Sequence, residues 1–182
     1  MNRCIWVNLD NKNYVDYHDY VWGVECHDDR VLFEYLVLEM FQAGLSWETI
    51  LNKKKHFEDA FDNFDYNKII SYDSKKIEEL MNNENIIRNR LKIKSTINNA
   101  KIFIDIQKEW GSFNNYIWHF TKNKQIHYKR FHTYSSLSDK VSNDLKKRGM
   151  KFVGSTIIYS YLEAIGVLNN HEDKCFKGGN NV

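Results

Sequence analysis

The chain has 182 residues, 42% of them hydrophobic and 15% aromatic, which is enough apolar surface for one domain with its own core. No apolar run approaches the ~18 residues of a membrane span, and residues 1–10 lack the charged start and apolar stretch of a signal peptide, so a soluble, cytoplasmic chain is expected. A net charge of +2 does not by itself mark a nucleic-acid binder, and three cysteines do not make the paired framework of a small secreted domain.

The N-terminal stretch is dense in rings: Trp6, Tyr14, Tyr17 and Trp22 suit either core packing or a pocket for a flat ring. Asp28 stands where an N-cap would, ahead of Leu32, Tyr35, Leu36 and Ala43 at helical spacing. Glu39 follows Tyr35 by one turn and falls inside that apolar stripe. A carboxylate there is costly unless it meets a cation or donors, so Glu39 is either paired in the core or part of a site. Gly44 stops the helix and Ser46 starts another with Trp47, followed by Ile50, Leu51, Phe57 and Phe61. That turn lets Glu39 and Trp47 share a cavity, where an indole face and a carboxylate would together suit a cation. Ordinary packing also accounts for Trp47.

Asp73 caps the next expected helix, and the basic group Arg88, Arg90, Lys92 and Lys94 leads into the stripe Ile93, Ile97, Ala100 and Ile104, ending at Gly111. Gln125–Tyr128 is a short strand-like run. Ser138 is read as the cap of a helix carrying Val141 and Leu145, with the second basic group, Lys146, Lys147, Arg148 and Lys151, around Gly149. Ser155 is read as the cap of the last stripe, Ile158, Tyr161, Leu162 and Ile165, which stops at Gly166. Each basic group is a solvated face or a phosphate-binding surface. Without βαβ alternation, repeats or linkers, residues 1–182 are expected to form one all-α domain, a compact bundle of short helices. Cys4 and His18 near one end, and His171 and Cys175 near the other, compose a Cys₂His₂ set suited to closed structural zinc that would tie the terminal segments together. They are also readable as scattered residues, with Cys4 a small hydrophobe.

Taken together, Arg3-Cys4 with Trp6-Val7, Tyr17-His18-Asp19 with Trp22-Gly23-Val24, Gln42-Ala43-Gly44-Leu45-Ser46-Trp47, Ile86-Ile87-Arg88, Lys146-Lys147-Arg148-Gly149 with Lys151-Phe152-Val153-Gly154, and His171 with Cys175 are similar to 3-methyladenine DNA glycosylase I over nearly the whole chain. That family is a branch of the helix-hairpin-helix glycosylases. The resemblance implies a helix-hairpin-helix element made of Ser74–Asn83, a hairpin around Glu84–Asn89 and a helix running to about Trp110. It implies one structural zinc on Cys4, His18, His171 and Cys175, with no organic cofactor. Glu39 would contact the base edge, Trp47 would stack on the ring, and Tyr17, Tyr14 and Trp6 would complete the pocket. Leu45 is then read as the wedge that fills the gap left by a flipped base, and Arg88, Lys92 and Lys151 as DNA contacts. The implied activity is hydrolytic removal of N3-methyladenine from alkylated double-stranded DNA, leaving an abasic site without strand cleavage, by a monomer that does not engage membranes.

Three departures stand out. Asn85 and Leu91 replace usual hairpin glycines, and since Leu resists a left-handed backbone the hairpin is expected to be altered or tightened. Val21 and Glu25 replace a usual Glu and Pro, and Gln125–Tyr134 follows the family poorly. Two rival readings remain open at this level: a catalytically silent DNA-binding module, and a metal-dependent nuclease using Asp16, Asp19, Asp28 and Asp29.

Overall fold

The computed structural model describes residues 1–128 and 132–178. Within them the helices are α1 (Lys12–Tyr20), α2 (Asp29–Gln42), α3 (Trp47–Ala60), α4 (Tyr66–Ile69), α5 (Ser74–Asn82), α6 (Arg90–Trp110), α7 (Phe113–His119), α8 (Ser136–Lys147) and α9 (Ser155–Ala164), with a 3₁₀ turn at Asp62–Phe64.

Local chemistry sets most boundaries. Asp28, Ser46 and Asp73 accept the amides of Val31, Thr49 and Lys76 and so cap α2, α3 and α5. Two expected caps are displaced. Ser135 caps α8, with Ser138 as its reciprocal partner in a capping box, and Gly154 occupies the cap of α9 while Ser155 is the first helical residue. Gln125–Tyr128 contributes a single parallel bridge, Ile126 to Leu168, and no named strand.

Every residue of α2 from Leu32 to Phe41 is buried, so this helix is wrapped all round instead of presenting one stripe. It packs against α3, α6, α7 and α9, and its buried apolar residues belong to one cluster with those helices. Two acids, Glu34 and Glu39, are therefore carried into the centre of the molecule.

α5 and α6 flank residues 83–89, close to the expected boundaries. Leu91 lies in the first turn of α6, behind the cap Asn89, and neither Asn85 nor Leu91 has a positive φ. The segment turns without a left-handed residue at either position.

Candidate functional site

A cavity of about 230 Å³ opens between the N-terminal segment, α2, the start of α3 and α9. It is smaller than the ~300–1,000 Å³ of sites for drug-sized ligands, a scale suited to one flat heterocycle. Five rings form its walls: Trp6, Tyr14, Tyr17, Trp22 and Trp47. They brace one another at an angle, with ring centroids 5.4 Å apart for Trp6 and Tyr14, 4.8 Å for Trp6 and Trp22, and 5.2 Å for Tyr17 and Trp47. The indole N–H groups of Trp6 and Trp47 are buried without a hydrogen-bond acceptor, an unfavourable state that an acceptor on a guest would relieve.

Four polar side chains complete the lining: Glu39, Gln42, Ser160 and Glu163. Glu39 is 3% exposed. Its helix neighbour Glu34, equally buried, is neutralised by Arg30 at 2.9 Å and Lys54 at 2.5 Å, whereas among the described residues no cation pairs with Glu39. Burial pushes the Glu39 carboxyl well above the usual carboxylate range, and the nearby charge of Glu163 adds to the effect. Burial likewise raises Glu163 to about 7, opposed by the amide of Asn170, which donates to it at 2.7 Å. The Tyr17 phenol is pushed up first by burial and then by Glu39, so it remains a donor.

The turn between α2 and α3 holds two of these groups in register. Gly44 adopts φ +85°, and the Gln42 side chain donates to the Leu45 carbonyl at 2.8 Å, closing the turn that sets Trp47 at the head of α3. Leu45 is left 39% exposed on the outside. Trp6, Tyr14, Tyr17, Glu39 and Trp47, singled out from the sequence, thus meet in one space, while Glu163 and Ser160 were not foreseen.

The expected DNA contacts fare unevenly. Arg88 and Lys151 are exposed. The backbone of Lys151 is clamped to α6 by Asn99, which accepts its N–H at 2.8 Å and donates to its carbonyl at 2.9 Å. Lys92 requires a correction: it is 6% exposed, and its ammonium donates to the carbonyls of Phe41 at 2.9 Å and Ala43 at 2.8 Å. It satisfies the C-terminal end of α2 and is not offered to phosphate. Arg148 is similarly engaged by Glu109 and Asp144.

Beside the cavity, Cys4, His18, His171 and Cys175 point inward with all four donor atoms within 4.8 Å of one another. Sulfur to nitrogen distances are 3.5 Å for Cys4 to His171, 3.4 Å for Cys175 to His18 and 3.5 Å for Cys175 to His171. The outward nitrogens are occupied: His18 Nδ1 lies 2.8 Å from Asp19, itself gripped by Arg3, and His171 Nε2 lies 2.9 Å from the Trp22 carbonyl. Such supports orient imidazoles that ligate metals. Among the described residues this is the one such cluster, and the acids of the nuclease reading are dispersed. Asp16 pairs with Lys12, Asp19 with Arg3 and His18, Asp28 caps α2, and Asp29 accepts the amides of Phe113 and Asn114. That rival loses its ligand set.

Residues 6–178 match the family model described as methyladenine glycosylase. The chain is 38% identical over 180 residues to DNA-3-methyladenine glycosylase 1 of Escherichia coli (strain K12), covering 96% of each. It is 36% identical over 178 residues to DNA-3-methyladenine glycosylase of Haemophilus influenzae, covering 95% of this chain and 96% of that one. A solved structure of 3-methyladenine DNA glycosylase I from Staphylococcus aureus, concerned with 3-methyladenine recognition, superposes with a TM-score of 0.93 at 34% identity, covering 100% of this chain and 99% of that one.

Proposed function

The chain belongs to the methyladenine glycosylase family, and from that premise we propose that it is a monomeric, cytoplasmic, single-domain base-excision repair enzyme that flips N3-methyladenine out of alkylated double-stranded DNA and hydrolyses its glycosidic bond. One observation carries this reading: the buried carboxylate of Glu39, with no cationic partner among the described residues, shares an aromatic cavity with Trp47.

Methylation at N3 makes the purine cationic. Cleavage then releases a neutral base and develops positive charge on the sugar, so protonating the leaving group is unnecessary. Recognition is the harder task. A positively charged ring between Trp47 and its neighbours gains from the indole face, and its charge favours ionised Glu39. Neutral adenine leaves that carboxyl either protonated or bearing an uncompensated charge, which disfavours it. The free N–H groups of Trp6 and Trp47 offer donors to the ring's edge. Water is the proposed nucleophile. Among the described residues no lysine lines the cavity, which supports hydrolysis without Schiff-base strand cleavage.

Leu45 is the proposed wedge, since an exposed apolar side chain on a fixed turn can fill the gap left by the extruded base, at a cost in unstacking of about a few kcal/mol. α5 and α6 around residues 83–89 are proposed as the helix-hairpin-helix element, with Arg88 and Lys151 contacting phosphates.

The metal is proposed to be one structural zinc. Tetrahedral bonds of ~2.3 Å to sulfur and ~2.0 Å to nitrogen put neighbouring donors about 3.5 Å apart, in accord with the separations above. Four protein donors leave no position for a reacting water, so the ion would hold the terminal segments and take no part in hydrolysis.

The direct test is to incubate the protein with methylated DNA and chromatograph the released bases. Free 3-methyladenine from an unnicked duplex is expected, and none from a folded sample would refute the proposal.

A further inference from the structure

The cavity contains an acid that base recognition by Glu39 and Trp47 leaves unused. Glu163 is the single charged residue of α9, and it lines the same space that Glu39 enters from α2. Its position is fixed. Asn170 Nδ2 donates to Glu163 Oε1 at 2.7 Å and to the Tyr159 hydroxyl at 2.9 Å, while Asn170 Oδ1 accepts the Tyr128 amide at 3.1 Å. Among the described residues no cation lines the cavity. Two carboxylates in one confined space cannot both ionise comfortably unless a positive guest lies between them.

We infer that Glu163 is a specificity-determining residue: its carboxylate, aimed by Asn170 into the ring space shared with Glu39, sets how strongly a positively charged purine is preferred to a neutral one. The inference rests on reading the cavity as a pocket for a cationic purine.

The surrounding groups define its pH dependence. Glu39 faces Glu163 from α2 and is pushed well above the carboxylate range. Tyr14 and Tyr17 face it from α1, both raised by burial, and Tyr159 on its own helix is raised to about 12, so the phenols stay neutral near pH 7. Asn170 is uncharged, and α8, packed on α9, contributes no residue to the lining. The cavity's charge is thus set by two acids, both raised by burial, Glu163 to about 7.

The test uses the full chain and isothermal titration calorimetry with two probes, 3,9-dimethyladeninium, which is permanently cationic, and adenine. Wild type should bind the cation about tenfold more tightly at pH 8 than at pH 6, with no such rise for adenine. Glu163→Gln retains an acceptor for Asn170, so it should fold normally by circular dichroism, lose the rise, and show a cation-to-adenine ratio about tenfold lower at pH 8. A measurement on wild type alone guards against a misfolded variant: binding of the cation should release protons, most near pH 7, read from heats in buffers of different ionisation enthalpy. If folded Glu163→Gln keeps the rise and the ratio, or wild type releases no protons, the inference is overturned while the pocket reading stands. Wild type that fails to prefer the cation at any pH would overturn the pocket reading and this inference with it.

Discussion

Glu34 and Glu39 ride the same buried helix in opposite circumstances, one flanked by Arg30 and Lys54, the other facing a cavity beside a second acid. Because folding raises the Glu39 carboxyl above its unfolded value of 4.5, the folded chain holds on to that proton more tightly, and its stability falls as pH climbs from 4.5 toward the folded value. Glu39→Gln removes the penalty. Its Tm should match or exceed wild type, by a margin that widens from about pH 5 to pH 8, while excision of 3-methyladenine drops by roughly 10²-fold. A large loss of Tm with excision intact would return Glu39 to a packing role. Glu39 was legible in the sequence because it sits on an apolar stripe within a turn of Tyr35 and Leu36. Glu163 escaped because it lies beside the stripe of Ile158, Tyr161, Leu162 and Ile165, not on it. The available signal was different in kind: a lone charge in an otherwise uncharged helix of 10 residues.

Between elements, α2 and α6 are joined by a buried charge. Lys92→Met keeps the aliphatic stem and removes the ammonium from the end of α2, leaving the carbonyls of Phe41 and Ala43 short of a donor. A loss of about 1–3 kcal/mol in urea unfolding is expected, with the salt dependence of DNA binding unchanged. A phosphate contact would instead flatten the log–log salt slope by about 0.9, and that result would restore Lys92 to the DNA surface. Gly166 is a second constraint of this kind. At φ +73°, an added Cβ would lie 2.2 Å from the Val24 backbone, so Gly166→Ala should lower the stability measured by urea unfolding by more than ~1 kcal/mol. Caps such as Asp28, Ser46 and Asp73 were legible because cap and amide lie within one turn. The partners of Lys92 lie 49 and 51 residues away, beyond any local pattern, and Ser135 was passed over because either it or Ser138 could have opened the same helix.

At the scale of the whole molecule, the ligand cluster and the cavity share a wall. Trp6 packs 5.4 Å from the His18 ring and Trp22 packs 4.6 Å from the His171 ring, centroid to centroid. Elemental analysis should find about one zinc per chain, and Cys175→Ala should lower metal content and Tm together. An unchanged zinc content would remove Cys175 from the ligand set. Chelation should act the same way, loosening the terminal segments and with them the aromatic wall. Because His18 and Cys175 lie 157 positions apart, a ribosome delivers one half of this clasp well before the other. A nascent chain that has not yet reached His171 would have its indoles unbacked, and so would be poorly able to seize a base until that segment had emerged.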